Sequence, residues 1–171
     1  MSRREGNGGL KGTELAGRPF PQVALPDLDG KRQDILGTSG SRFPGVCVIA
    51  IGHSQCGTTR LAIPYIKRMH DRCGPGASVV LVLQDDAAAA RALLAELRAE
   101  MPVRLEADPY PLAREMALST VPTFFLVGPG RRVERVSEGF ERAALEEMAA
   151  RLGVMRPFFT ADDAAPALRP G

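Results

Sequence analysis

The chain has 171 residues, with 22 Lys and Arg against 20 Asp and Glu and a formal net charge of +2. The basic residues are scattered, so nucleic acid is not an expected partner, and the length suits one domain with a buried core. Three cysteines exclude a disulfide-rich scaffold. Cys47, Cys56 and Cys73 show no C-x-x-C spacing, and two histidines cannot supply a three-histidine site, so no metal or other resident cofactor is expected. No apolar run nears the ~18 residues of a membrane span. The start, MSRREGNGGLKG, carries charge and glycine but no apolar signal region. The expected compartment is the cytoplasm, or an extracytoplasmic space if a leader has been removed.

Residues 1–16 read as a flexible N-terminal segment, rich in Gly and charge. The main domain is expected over 17–153. It opens on Phe20-Pro21-Gln22-Val23-Ala24-Leu25-Pro26, whose prolines suit an extended edge, and on a turn at Asp27-Leu28-Asp29-Gly30-Lys31. Together these predict a small hairpin. Residues 37–45 read as a surface loop. Val46 to Ile51 is continuously apolar, the mark of a strand covered on both faces, with Cys47 as a small core residue. A helix follows Cys56, with Ala62, Tyr65, Ile66 and Met69 on one face and Pro64 inside it, where a kink is expected. Gly74-Pro75-Gly76 stops it.

Ser78 to Leu83 predicts a second buried strand. Asp85 or Asp86 can cap the next helix, whose apolar stripe is Ala90, Leu93, Leu94 and Leu97. Pro102 to Leu105 suits a short strand. Asp108-Pro109 is expected to cap and open a short helix over 110–118. Val121 to Val127 reads as a strand ended by Gly128-Pro129-Gly130, with Arg131 to Ser137 as its hairpin partner. The last helix runs from Glu141 to Leu152, and residues 154–171 form a Pro- and Ala-rich tail. This order predicts a three-layer α/β domain, a central mixed sheet of four or five strands with helices on both faces.

The stretch Ile51 to Pro64, IGHSQCGTTRLAIP, places Cys56 at a strand-to-helix turn. The first free N–H groups of a helix and its aligned peptide dipoles favour an anion there. A thiol in that place can titrate well below about 8.5 and act as a nucleophile. The alternative is a small residue that merely fits the turn.

Cys56-Gly57-Thr58-Thr59-Arg60 followed by Pro64, the Phe20 to Lys31 hairpin, Asp108-Pro109 with Ala113, Val121-Pro122-Thr123 and Gly139-Phe140 occur in one order and spacing. In these features, over roughly residues 17–153, the chain resembles the thioredoxin superfamily. The closer likeness is to its redoxin branch of thiol–disulfide reductases and peroxiredoxins. The resemblance implies a thioredoxin-like fold with an N-terminal β-hairpin extension. It also implies Cys56 as the attacking thiol, a cis bond before Pro122, and either disulfide exchange or antioxidant activity.

The departures narrow this. Thr59 stands where the resolving cysteine would be, and its hydroxyl can only donate a hydrogen bond to a Cys56 thiolate. Ala50 replaces the buried acid, and Gln55 the aromatic before the cysteine. His53 stands where a peroxiredoxin has Thr or Ser, and no arginine matches the one that steadies a peroxidatic thiolate. His53 is a candidate acid or base beside Cys56, or an exposed loop residue. Cys73 lies at the far end of a helix roughly 20 Å long, too far to resolve Cys56 within one chain.

The leading expectation is a monothiol redoxin with Cys56, Thr59, Pro122 and His53 as site residues. Its partner is a thiol- or disulfide-bearing protein, or a small thiol such as glutathione that serves as co-substrate. The alternatives are a non-catalytic thioredoxin-fold module that binds peptides or proteins, and a thiol peroxidase.

Overall fold

The computed structural model describes residues 12–37 and 42–171. Most of the flexible segment expected at the N-terminus, residues 1–11, and residues 38–41 of the expected surface loop lie outside the described residues. The central sheet has five strands in the order β5-β4-β3-β6-β7. These are β3 (Val46–Gly52), β4 (Ala77–Leu83), β5 (Val103–Leu105), β6 (Thr123–Gly128) and β7 (Arg132–Glu138). β3, β4 and β5 are parallel, while β6 and β7 run antiparallel to their neighbours. A separate hairpin, β1 (Ala24–Pro26) and β2 (Arg32–Asp34), turns at Asp27, whose carboxylate accepts from the N–H groups of Asp29 and Lys31.

Strand β3 is central, and alternate side chains enter two different cores. Val48 and Ala50 face α2 (Gly57–Arg72), α3 (Ala87–Glu96) and α5 (Arg142–Arg151). Cys47, Ile49 and Ile51 face the opposite layer, where Leu112 and Met116 of the α4 (Pro111–Glu115) region pack with Phe20, Leu25 and Ile35. A strand buried on both faces must be apolar at every position, which is why its sequence shows no alternation. Burial pushes the Cys47 thiol up to about 12, so it is a core residue and not a nucleophile.

Several local expectations change. Residues Gly12–Leu15 form a short helix, α1, that packs on β7 with Leu15 buried, so this part of the N-terminal segment is attached. Helix α4 starts at Pro111 and Asp108 does not cap it. Its free N–H groups at Leu112 and Ala113 donate instead to the fully buried carboxylate of Glu106, which arrives from the end of β5. Asp86, rather than Asp85, caps α3 through the N–H of Ala89. Pro64 lies inside α2, as the sequence predicts. A register shift between Leu126 and Val127 in the β6–β7 pair sets Val133 opposite Val127 and Val136 opposite Phe125, so both valines pack on the same core.

The tail is part of the structure. Val154, Phe158 and Phe159 are buried in the α2–α5 core, and the Phe159 ring lies 4.8 Å from that of Tyr65 and 5.9 Å from that of Phe140. Arg68 of α2 forms a two-pronged pair with Asp163 at 2.7 and 2.8 Å and also donates to the Phe158 carbonyl. The Arg68 guanidinium, helped by the Thr160 N–H, outweighs burial and holds the Asp163 carboxyl far below the usual carboxylate range. A carboxylate held low contributes stability above the ordinary value of about 3.9, and that contribution is lost as the pH falls. Asp163→Asn is expected to lower unfolding stability by roughly 1–3 kcal/mol at pH 7. In denaturant titrations the gap from the parent should close as the pH is taken below about 3. A gap that persists unchanged at pH 2 would show that the pair is not its source.

Candidate active site

Two strand ends meet at the site. Ile51 pairs with Thr123 in the β3–β6 ladder. The chain leaving β3 therefore turns beside the chain entering β6. Cys56 is the N-cap residue of α2, and its sulfur accepts from the Thr59 N–H at 3.4 Å. The thiol also donates to the Val121 carbonyl oxygen at 3.3 Å. The Val121–Pro122 peptide bond is cis, and the Pro122 carbonyl accepts from the Gly139 N–H at 2.7 Å. Cys56 and the Pro122 loop, 65 residues apart, thus form one half-buried corner.

Opposing influences act on the sulfur. Burial pushes the Cys56 thiol up, but the Thr59 N–H, the Thr59 hydroxyl, the Thr58 N–H and the charge of Arg169 together outweigh it. The net displacement is downward, toward the thiolate. Thr59 is completely buried, and its hydroxyl accepts from the His53 N–H at 3.3 Å. Space for it depends on Gly52 at the end of β3, because a Cβ there would stand 2.5 Å from Thr59 Cγ2.

His53 is held away from the sulfur. Its Nδ1 accepts from the Gln55 N–H at 3.1 Å, and its Nε2 lies 3.9 Å from Asp85 Oδ1. Asp85 itself binds the Ser54 N–H at 2.9 Å and the Ser54 hydroxyl, so it ties down the loop before Cys56. Arg60 pairs with Glu96 on the outer surface. Cys73 caps the other end of α2, a helix of 16 residues or roughly 24 Å. Ala50, where a buried acid would stand, is fully enclosed by apolar neighbours.

Sequence reasoning missed Arg169. A Cβ on Gly57 would stand only 2.8 Å from its guanidinium nitrogen, so the cation sits over the first turn of α2 beside Cys56. It arrives from the tail, 113 residues away along the chain, and no local pattern marks it. Asp85 was visible only as a possible helix cap. An open groove of about 640 Å³ adjoins the corner, lined by Gln84, Tyr110, Arg114, Thr120 and Val121 among others. Among the described residues no cluster of three or more His, Cys, Asp or Glu side chains could hold a metal ion. No helix among them is long and apolar enough to cross a membrane.

A strand-to-helix thiol facing a cis-proline loop, on a five-stranded mixed sheet covered by helices on both sides, defines a thioredoxin-like fold. Solved structures agree. The chain is similar to a putative thiol:disulfide interchange protein DsbE from Chlorobium tepidum, with 24% identity over 80% of this chain and 94% of that one and a TM-score of 0.66. It is also similar to a secreted disulfide oxidoreductase of Mycobacterium tuberculosis, homologous to DsbE of E. coli (15% identity, 75% and 95% coverage, TM-score 0.63). StoA from Bacillus subtilis matches with 16% identity, 76% and 98% coverage and a TM-score of 0.60. No protein-family model matches the chain. No curated protein matches it either.

Thr59→Val keeps the shape and the backbone N–H but removes the hydroxyl. It is expected to raise the midpoint of pH-dependent Cys56 alkylation and to slow alkylation at pH 7 by about tenfold, the scale of one hydrogen bond to a charged group. The rate plateau at high pH should not change. An unshifted midpoint would show that the hydroxyl does not act on the sulfur.

Proposed function

We propose that the protein carries out thiol–disulfide exchange through a single thiol, Cys56. The Cys56 thiolate attacks one sulfur of a disulfide R–S–S–R′. The Cys56–S–S–R bond forms, the S–S bond of the partner breaks, and R′S⁻ leaves with the electron pair. An external thiolate R″S⁻ then attacks the partner sulfur of the mixed disulfide, forming R–S–S–R″ and releasing the Cys56 thiolate. A second R″S⁻ attacks R–S–S–R″, releasing RS⁻ and forming R″–S–S–R″, so two external thiols supply the two electrons. Thr59 has no sulfur with which to displace the partner. Lifetime of the adduct is therefore set by access of the outside thiol.

One observation carries this reading above the others. The Cys56 sulfur receives the Thr59 N–H at the start of α2 while lying against the Val121 carbonyl, with the balance of influences favouring the thiolate. A sulfur retained only to fill a turn has no need of that arrangement. Pro122 shapes the loop opposite the sulfur, and Thr59 steadies the thiolate. His53 acts as a structural residue of the loop rather than as acid or base, because both ring nitrogens are directed elsewhere. A peroxidase would need donors around the attacked oxygen. Arg169 is one such donor, but the position three residues before the sulfur is His53, turned toward Asp85.

The partner is a disulfide-bearing protein or a small thiol, and glutathione is the simplest co-substrate. Among the similar structures one is described as a putative thiol:disulfide interchange protein, one as a disulfide oxidoreductase and one as a thiol-disulfide oxidoreductase, which fits this chemistry. One is described as secreted, which fits the extracytoplasmic alternative for the compartment.

Incubation with oxidised glutathione should give one glutathione adduct, located on Cys56 by peptide mass. It should be cleared by an added thiol and be absent in Cys56→Ser. Cys73→Ser should behave as the parent. A parent protein that forms no adduct, with an alkylation midpoint at or above about 8.5, would leave only the non-catalytic binding role.

A further inference from the structure

The corner at Cys56 is already occupied by a segment of the same chain. Residues 166–171 run back across the site. β9 (Leu168–Arg169) pairs antiparallel with β8 (Phe140–Glu141), in the register Phe140 to Arg169 and Glu141 to Leu168. The Ala167 carbonyl accepts from the Arg142 N–H at 3.0 Å, and the Pro170 carbonyl accepts from the Thr58 hydroxyl at 2.6 Å. Gly171 then lies against the loop before Pro122. Any side chain there would collide with the Val121 carbonyl and the Thr120 hydroxyl. Val121 O is the same atom to which the Cys56 thiol donates. Arg169 completes the cover, with its guanidinium over Gly57.

The β7–β8 turn is shaped to receive this segment. Gly139 has φ +71, and a Cβ on it would stand 2.7 Å from the Arg169 carbonyl oxygen and 3.2 Å from the Gly171 nitrogen. Backbone therefore meets backbone, in the manner of an added strand.

Two parts of the tail are held by different forces. Phe158 and Phe159 are 2% and 4% exposed, and Asp163 is clamped by Arg68, so the anchor is apolar burial and a charged pair. Beyond the anchor, Leu168 is 63% exposed and Arg169 is exposed as well. What holds that end is a few hydrogen bonds near the surface, the kind of contact that opens locally while the rest stays folded.

We propose that residues 167–171 are a tethered pseudo-substrate strap, which covers the corner at Cys56 as an added strand on β8 and must lift before a partner's polypeptide can reach the sulfur. The proposal rests on the reading of Cys56 as the exchanging thiol. Tethering gives the strap an effective concentration on the millimolar scale. Only a partner that pairs with β8 and brings a small residue to Val121 competes well against it. Lifting the strap also removes the Arg169 charge from the sulfur, so access rises while thiolate stabilisation falls.

These two effects separate in a pH profile of alkylation read with a small reagent, iodoacetamide, and a bulky one, fluorescein maleimide. The chain ended after Ala167 keeps the whole anchor. It is expected to react with the bulky reagent about tenfold faster on the high-pH plateau, as for a strap closed in about nine-tenths of molecules. The small reagent should gain less, and the midpoint should move upward. Thr58→Val, which removes only the hydroxyl that holds Pro170, should move both readouts in the same directions by a smaller factor, and it decides the matter if the shortened chain does not fold. Arg169→Gln should raise the midpoint without the gain on the plateau. Plateau rates within twofold of the parent in both strap variants would overturn the strap. Oxidised glutathione offered to the same proteins separates the two proposals. Faster bulky alkylation with no glutathione adduct in any form would keep the strap and remove disulfide exchange, whereas adducts formed equally fast in all forms would do the reverse.

Discussion

The pairing of β3 with β6 is the constraint on which the site depends. Ile51 opposite Thr123 brings the exit of one strand beside the start of another. From that register, Cys56 reaches the Val121 carbonyl without any further device. The next pair extends the same corner. Thr123 lies opposite Glu138 in the β6–β7 ladder, so the chain leaving β7 passes Pro122 and offers β8 as an edge. Three segments distant in sequence thereby converge on one sulfur. A slip of one residue in β3 would exchange its two buried faces and move Cys56 away from the loop.

Electrostatics at the corner is a contest between weak influences. A helix start offers N–H groups to the sulfur, while the partial burial that makes the pocket works against its charge. The Val121 carbonyl accepts from the thiol and gives nothing to a thiolate. The Thr59 hydroxyl and the Arg169 charge therefore matter more than they would beside a fully exposed sulfur. Gly52 belongs to the same balance, because only a residue without a side chain leaves room for the buried Thr59.

A single thiol and a covering strap are compatible features. Under the proposed exchange, a sulfur with no resolving partner would form long-lived adducts with whatever disulfide reaches it. A segment that excludes poorly fitting partners restricts those reactions. On these two proposals, exclusion at the entrance would do part of the work that a second cysteine performs by release.

Much of the fold was legible from residue pattern. Val46 to Ile51 and Ser78 to Leu83 announce doubly buried strands because a strand covered on both faces has no polar position. Turn chemistry at Asp27 to Lys31 gave the hairpin, and the resemblance carried by Cys56 to Pro64 and Val121-Pro122-Thr123 implied the corner. The errors have local physical causes. Glu106 took over the capping of α4 from Asp108 through a contact that no short window reveals. Phe158 and Phe159 became core although the tail around them is rich in proline and alanine.

The sequence by itself determined that Cys56 stands at a strand-to-helix turn and that Thr59, not a cysteine, follows it by three residues. These are properties of neighbours in the chain, set by hydrophobic periodicity and helix-start chemistry. Only the tertiary structure decided that His53 turns to Asp85 and that Arg169 covers Gly57. It alone laid residues 167–171 across the corner at Val121. Such contacts join positions up to 112 residues apart, and they depend on strand order and register, which no single stretch of sequence encodes.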